Sequence, residues 1–266
     1  MLLLAAVQMT SGADKAANLA AADRLIREAA SRGAGLVGLP ENFAWFGPEA
    51  DRASAAEALD GPTLTRLAGL ARELKVCLLA GSVLEQGAPG GRLYNTSCLF
   101  GPDGARLAAY RKIHLFDVDV GDGASYRESA AVAPGTEAVS AEAAGVRVGL
   151  SVCYDLRFPE LYRRHSAAGA TLLTVPAAFT LMTGKDHWEV LLRARAIENL
   201  AYVLAPAQVG KHSDKRQTFG HAMVVDPWGL VTSRASEGEG VAIAPYDAAL
   251  VARVRRNLPA LSHRRL

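Results

Sequence analysis

Two stretches of this chain can be laid over one another. Gly33-Ala-Gly-Leu-Val-Gly-Leu-Pro-Glu-Asn-Phe43 agrees with Gly169-Ala-Thr-Leu-Leu-Thr-Val-Pro-Ala-Ala-Phe179 at Gly, Ala, Leu, Pro and Phe. Further along each half, Gly-Pro-Asp-Gly at 101–104 matches Asp-Pro-Trp-Gly at 226–229. Both matches run in the same order, with the same kinds of element between them. An internal duplication follows, and it limits the fold severely, because each half must solve the same burial problem.

In the first half, Leu2 to Met9 reads as a buried strand. Ser11-Gly-Ala-Asp14 is a capping-box-like helix start. Leu19, Ala22, Leu25, Ile26 and Ala29 then recur at helical spacing, and Gly33 ends the helix. Ala34 to Leu39 is a strand closed by Pro40. Asp60-Gly-Pro62 opens a helix with proline in its first turn, carrying Leu64, Leu67, Ala71 and Leu74. Val76 to Leu84 is a strand, and Tyr94 to Phe100 with Arg106 to Arg111 forms a hairpin. The second half repeats the order. Val146 to Cys153 is a strand, Pro159 to Ala168 a helix, and Gly169 to Pro176 a strand. Asp186-x-x-Glu189 is a capping box for a helix through Leu200, Tyr202 to Gln208 is a strand, and a hairpin turns at 226–229.

Each half is therefore β-α-β-α-β followed by a hairpin. Right-handed crossovers place both helices on one face of its sheet. Yet Leu36 to Leu39 and Leu172 to Val175 are apolar on both faces, so the helix-free face needs a cover. The other half's sheet supplies it. The expected fold is α/β, a four-layer α-β-β-α sandwich built from two similar halves, forming a single domain over residues 1–266.

The totals exclude several classes. A net charge of +2 with acids and bases intermixed implies neither a nucleic-acid nor a membrane partner. Three cysteines (Cys77, Cys98, Cys153) without a C-x-x-C suggest neither a disulfide framework nor a zinc site. A reducing cytoplasm fits that usage. The apolar start lacks a basic leader, and Gln8 interrupts it, so it reads as a strand and not as a signal peptide or span. Walker, Rossmann and His-Glu-x-x-His motifs are absent. His114 and His221 have no partners at ligand spacing, and no metal or organic cofactor is expected. Cys77 and Cys98 read as core; His187 and Trp188 read as packing and capping residues.

The chemistry concentrates in loops after strands. Val146 to Glu160 opens with a β-branched run and turns at Cys153 into a helix begun by Pro159. A thiol at such a strand end sits near unpaired N–H groups. The alternative is a buried apolar cysteine, the usual fate of a free one. Glu41 follows an apolar strand, where a capping or solvated acid is the plainer reading. Lys112 ends the hairpin strand, where an edge lysine is the plainer reading. Glu128 lies in a Gly-rich stretch from Phe116 to Gly135, where a surface acid is the plainer reading, although an irregular loop of that length suggests work at a site. Together the four make sense. A thiol needs a base, which a buried carboxylate supplies. Attack on a carbonyl develops an oxyanion, which a fixed ammonium and the N–H of Tyr154 would stabilise. A second carboxylate keeps that ammonium charged and in place.

These segments resemble the nitrilase superfamily of carbon–nitrogen hydrolases. The resemblance is carried by Gly-Leu-Pro-Glu41-Asn-Phe, Tyr-Arg-Lys112-Ile-His-Leu-Phe-Asp, Glu128, and Gly-Leu-Ser-Val-Cys153-Tyr-Asp-Leu-Arg-Phe-Pro-Glu-Leu. It implies an α-β-β-α sandwich, Glu41 as general base, Lys112 as oxyanion stabiliser, Cys153 as nucleophile and Glu128 as the family's second glutamate. It also implies a homodimer or larger homo-oligomer, and the basic stretch from Arg253 to Arg265 is expected to pack on a neighbouring subunit rather than bind RNA. Ala207-Gln-Val-Gly-Lys-His212 leans toward the branch that cleaves deaminated glutathione to 2-oxoglutarate and Cys-Gly. ω-Amidase action on α-ketoglutaramate, nitrile hydrolysis and N-carbamoyl hydrolysis share the same triad and stay open. A catalytically silent scaffold on the same fold is the reading outside enzymes. Cationic partners for a small carboxylated amide are sought at Arg157, Lys211, His212, Lys215 and Arg216, although for each one alone a solvated basic loop is the plainer reading.

Overall fold

Alternation along the first strand decides the layering. In β1 (Leu2–Met9), Leu4 and Ala6 face one way and Ala5, Val7 and Met9 the other, and all five are fully buried. A strand whose side chains alternate between two dry faces must be sandwiched. Ala5, Val7 and Met9 pack with Leu25, Ile26, Leu64 and Leu67 of two helices. Leu4 and Ala6 pack with Val148, Leu150, Leu172 and Val203, which belong to the other half of the chain.

The computed structural model describes residues 1–119, 125–214 and 216–265. After β1 come α1 (Lys15–Ser31), β2 (Leu36–Gly38), α2 (Arg52–Ala55), α3 (Pro62–Leu74), β3 (Cys77–Glu85), β4 (Tyr94–Phe100) and β5 (Arg106–Arg111). Then follow β6 (Asp117–Asp119), β7 (Ser125–Arg127), β8 (Ser140–Ala143), β9 (Val146–Leu150), α4 (Pro159–Ala167), β10 (Leu172–Thr174), α5 (Leu181–Thr183), α6 (Glu189–Asn199) and β11 (Tyr202–Ala205). The chain ends with β12 (Ala207–Ser213), β13 (Arg216–Phe219), β14 (Met223–Val225), β15 (Val231–Arg234), β16 (Gly240–Tyr246) and α7 (Ala248–Asn257).

The two halves repeat one topology. β1, β2 and β3 are parallel neighbours, extended by the antiparallel strands β4 and β5. β9, β10 and β11 are likewise parallel and are extended by β14 and β15. With α1 and α3 on one sheet and α4 and α6 on the other, the expected four-layer α/β sandwich is the fold. Strands exchanged between the halves tie the layers together. β12 and β13 leave the second half to join the first sheet beside β1, and β16 pairs antiparallel with β1 along Leu2 to Gln8.

Several local expectations change. Tyr202 to Gln208 is not one strand. Pro206, which has no N–H to offer a ladder, divides it, and β12 passes to the opposite sheet. β9 stops at Leu150 rather than at Cys153. The Asp186–Glu189 capping box does not form, because the helix begins earlier. Leu181–Thr183 runs through a π-helical turn (Gly184–Trp188) into α6 with no side-chain cap. The wide turn matches tight packing at Gly184, where a Cβ would lie 2.3 Å from that of Phe219. The stretch after Phe116 is not irregular throughout: β6 pairs with β7, and a 3-10 turn spans Glu128–Ala130. At the C-terminus, Arg255 binds within its own chain, donating to Leu200 O at 3.0 Å and Ala170 O at 2.7 Å. Asp14 alone caps α1, accepting from Ala17 N–H at 3.0 Å.

One glycine on β3 links packing to the site. Gly81 lies in a register shift between β3 and β4, and a Cβ built on it would stand 1.9 Å from Leu39 O and 2.5 Å from Pro40 O. Only a bare backbone fits behind the residues that lead into Glu41. Gly81→Ala is expected to cost about 1–3 kcal/mol by overpacking, read as a lower thermal unfolding midpoint. Unchanged stability would show that the Pro40 loop yields freely.

Candidate active site

The duplicated loops meet. Pro40-Glu41 follows β2, and Pro176-Ala177-Ala178 follows β10 at the equivalent point of the other half. Across the interface Ala178 N–H donates to Glu41 Oε2 at 3.0 Å. Glu41 is held from behind as well. Gln208 Nε2 donates to Glu41 O at 3.0 Å and to Ser11 Oγ at 2.8 Å, and Ser11 N–H donates back to Gln208 Oε1 at 2.9 Å. The crossing at Pro206 is what brings Gln208 there.

Lys112 follows β5 and is anchored at both backbone ends. Its N–H donates to Asn95 O at 2.9 Å, and its carbonyl accepts from Gly135 N–H at 2.8 Å. Cys153 takes a left-handed backbone, φ +48°, rare for a residue with a Cβ and costing about 1–3 kcal/mol. A bond from Cys153 N–H to Pro176 O at 2.9 Å holds it there. So held, Cys153 lines the same pocket as Glu41 and Lys112.

The four polar groups come together. Lys112 Nζ lies 2.9 Å from Glu41 Oε1 and 2.8 Å from Glu128 Oε2. Asn95 Nδ2 donates to both carboxylates, at 2.9 Å to Glu41 Oε1 and 3.1 Å to Glu128 Oε1. Phe116 N–H adds a donor to Glu128 Oε2 at 2.7 Å. Cys153 lines the same pocket as Glu41, Lys112 and Ala178, close enough for the Glu41 carboxylate and the Ala178 N–H to bear on the ionisation of its thiol. Lys112 is 2% exposed, Glu41 4% and Cys153 7%, so these charges meet with little screening water.

Burial works against a charged Lys112, but the carboxylates of Glu128 and Glu41 outweigh it and hold the ammonium well above the usual lysine range. Burial likewise favours a neutral Glu128, yet the Lys112 charge and its hydrogen bonds hold that carboxyl below the usual range. Burial and then the Glu41 carboxylate push the Cys153 thiol well above its ordinary value, with Lys112 pulling the other way. The resting sulfur is therefore a neutral thiol beside a carboxylate.

Glu41, Lys112, Glu128 and Cys153 all line one solvent-open pocket. Tyr154 and Arg216 line it too, as do Arg52 and Arg127, which sequence reasoning did not single out. Arg52 and Arg216 converge on Glu49 Oε1 at 3.1 and 3.0 Å, and the Arg216 guanidinium lies 4.8 Å over the Phe46 ring. Arg157 and His212 are not among the lining residues. Arg157 stacks 5.2 Å from the Phe179 ring, on the far side of a residue that does line the pocket. His212 sits behind the wall, 2.7 Å from both Ser11 O and Thr218 Oγ1. A carbonyl only accepts, so Nδ1 carries the proton and Nε2 accepts from Thr218. Burial, helped by the Arg216 charge, lowers the pKa of this imidazole and keeps it neutral. Lys211 pairs with Asp214 at 2.8 Å on the surface; Lys215 lies outside the described residues. Cys77 and Cys98 are buried in β3 and β4, and burial pushes the Cys98 thiol up to about 12. Asn95 was missed because one asparagine within a strand offers no spacing to read.

The pairing has a pH signature. The Glu128 contribution is present above the ordinary carboxylate range and is lost as pH falls through its depressed folded value. The Lys112 contribution is present below the ordinary lysine range and is lost as pH rises through its raised folded value. Lys112→Met leaves two buried carboxylates without a cation and is expected to cost about 3–5 kcal/mol near neutrality. Its deficit should shrink as pH falls and those carboxyls protonate. Thermal unfolding of both proteins from neutral to about pH 4 checks this; a deficit that widens in acid would contradict the pairing.

Comparison with known proteins identifies the family. The sequence model of the Carbon-nitrogen hydrolase family matches residues 3–256. The deaminated glutathione amidase of Synechocystis sp. is 48% identical over 266 residues, 98% of this chain and 97% of that protein. Human omega-amidase NIT2 is 39% identical over 267 residues, 98% of this chain and 94% of that protein. Among solved structures, the C. elegans NitFhit protein superposes with a TM-score of 0.93 at 40% identity; the match covers 99% of this chain and 65% of that longer one. The chain is thus a carbon–nitrogen hydrolase and belongs to that family within the nitrilase superfamily.

Proposed function

We propose that this enzyme is a thiol amidase for a small carboxylated amide, with deaminated glutathione as substrate and 2-oxoglutarate and Cys-Gly as products. The observation that carries the chemistry is one buried carboxylate, Glu41, paired with the Lys112 ammonium at 2.9 Å in the pocket that the Cys153 thiol also lines. As the sulfur attacks the amide carbonyl, Glu41 takes its proton. Charge moves to the carbonyl oxygen, where the Lys112 ammonium and the Tyr154 N–H receive it. Protonated Glu41 gives its proton to the departing nitrogen, and the C–N bond breaks to leave a thioester. Water then attacks that thioester and yields its proton to Glu41. The acid product leaves, and the sulfur regains its proton from Glu41. Glu128 holds Lys112 charged and aimed throughout.

The substrate assignment draws on the 48%-identical relative and on the cationic wall of the pocket. Arg52 and Arg216, both drawn to Glu49, and Arg127, paired with Asp119 at 2.8 Å, are our candidates for binding substrate carboxylates. Arg157 and His212 then act indirectly, by packing Phe179 and by orienting Thr218. Because the site takes Glu41, Lys112 and Glu128 from one half and Cys153 and Ala178 from the other, we read residues 1–266 as one domain. An exposed apolar patch of Val190, Ile197, Trp228 and Leu230 supports a homodimer or larger assembly. Among the described residues no helix is long and apolar enough to cross a membrane. Three free cysteines fit a cytoplasmic setting.

Cys153→Ala is expected to lose turnover by a factor on the order of 10⁴ or more with the fold intact. In Glu41→Gln, a substrate-derived acyl group should accumulate on Cys153, seen by intact-mass spectrometry; an adduct on Cys77 or Cys98 would contradict the assignment. Turnover of deaminated glutathione, α-ketoglutaramate, a carbamoyl amino acid and a simple nitrile ranks the substrates. Preference for α-ketoglutaramate would make the enzyme an ω-amidase, and preference for either of the last two would overturn the amidase reading.

A further inference from the structure

A fully buried carboxylate that this mechanism does not use lies two residues past the nucleophile. Both oxygens of Asp155 are engaged twice. Oδ2 accepts from Val152 N–H at 2.8 Å and from Tyr110 OH at 2.7 Å. Oδ1 lies 3.1 Å from His114 N–H and 2.7 Å from His114 Nδ1. The Tyr110 hydroxyl in turn accepts from Ile113 N–H at 3.2 Å.

These partners fall into two groups. Val152 immediately precedes Cys153, in the loop of the second sheet. Tyr110, Ile113 and His114 flank Lys112, at the end of β5 in the first sheet. Asp155 therefore bonds to both neighbourhoods of the reacting pair, across the gap between the sheets. The His114 ring also stacks on Phe158, 3.7 Å away and 6° from parallel, which locks the far side of the nucleophile turn to the same segment. No other cluster outside the triad joins those two segments in this way among the described residues.

The pattern requires a group that only accepts. Val152 and His114 present backbone N–H groups that cannot be reversed. Tyr110 donates its one hydroxyl proton to Asp155 Oδ2 while its oxygen accepts from Ile113 N–H. An ionised carboxylate satisfies all four positions, whereas an amide of the same size would turn an NH₂ toward one of the two backbone donors.

From this we infer that Asp155 is a positioning residue, whose carboxylate fixes the Lys112 segment against the Cys153 segment and so sets the reach of the ammonium to the sulfur. The inference rests on the reading that Lys112 and Cys153 act on one carbonyl. A displacement on the order of 1 Å is enough to cost about a hundredfold in rate at such a site. It would also be felt by the sulfur. Glu41 disfavours the thiolate and Lys112 favours it, so a retreating Lys112 leaves the thiol harder to ionise.

The test is the pH dependence of Cys153 alkylation by iodoacetamide, followed by intact mass, in wild type, Lys112→Met, Asp155→Asn and Tyr110→Phe. It needs no amide substrate, so a wrong substrate assignment cannot be mistaken for failure here. Lys112→Met should move the profile to higher pH. Asp155→Asn should move it in the same direction, and its kcat on the best amide should fall about a hundredfold with KM within about threefold. Tyr110→Phe removes one donor of four and should show the same shifts at smaller size; it carries the test alone if Asp155→Asn does not fold. A shifted profile in Lys112→Met beside wild-type profiles and kcat in the folded Asp155 and Tyr110 variants would overturn the role of Asp155. An unshifted Lys112→Met would overturn the coupling on which that role depends.

Discussion

Lys112 is an ammonium almost sealed from water, 2.9 Å from one carboxylate and 2.8 Å from another. Removing such a charge from solvent costs several kcal/mol, and neighbouring charges repay it only when every remaining lone pair is also met. Here they are met. Asn95 bridges the two glutamates, Phe116 N–H serves Glu128, and Ala178 N–H serves Glu41. Two carboxylates against one ammonium leave the cluster with excess negative charge. Burial first, and then the Glu41 carboxylate, is why the sulfur rests as a thiol and needs a base at the moment of attack.

The duplication explains why such a cluster forms at all. A single β-α-β-α-β half would expose one apolar face of its sheet, so two halves close on each other. Equivalent loops after β2 and β10 then face across the same seam. One carries Glu41, and the other carries small side chains and two working backbone groups, Pro176 O, which accepts from Cys153 N–H, and Ala178 N–H, which donates to Glu41. Symmetry in the scaffold has become division of labour in the site. The swap of β12 and β16 into the first sheet makes the seam hard to open, and it delivers Gln208 to the back of Glu41.

Much of this can be read from the residues. The repeated strands and helices follow from periodicity, and the layering follows from strands that are apolar on both faces. Glu41, Lys112, Glu128 and Cys153 stand out from the residues alone, and the fold brings all four to the lining of one pocket. What escapes reading has a common physical character. Pro206 looks like punctuation inside one strand, and nothing local says that the chain changes sheets there. Arg52 and Arg127 belong to no pattern, and reach the pocket only through the fold. The run Ala207 to His212 does matter to the site, but from behind, where Gln208 and His212 fix backbone and hydroxyl groups. Asp155 reads as part of a motif, yet two of its partners, Tyr110 and His114, lie 45 and 41 residues upstream at the end of a strand of the other sheet.

The account stands on the mutual dependence of one buried ammonium and the carboxylates around it. A double-mutant cycle on the unfolding free energy, Lys112→Met with Glu128→Gln, measures that dependence directly. If the charges balance as described, removing the Glu128 charge from the lysine-less protein restores stability, and the double variant is more stable than Lys112→Met alone. If the two losses simply add, the charges are not compensating one another, and the electrostatic basis of the site is wrong.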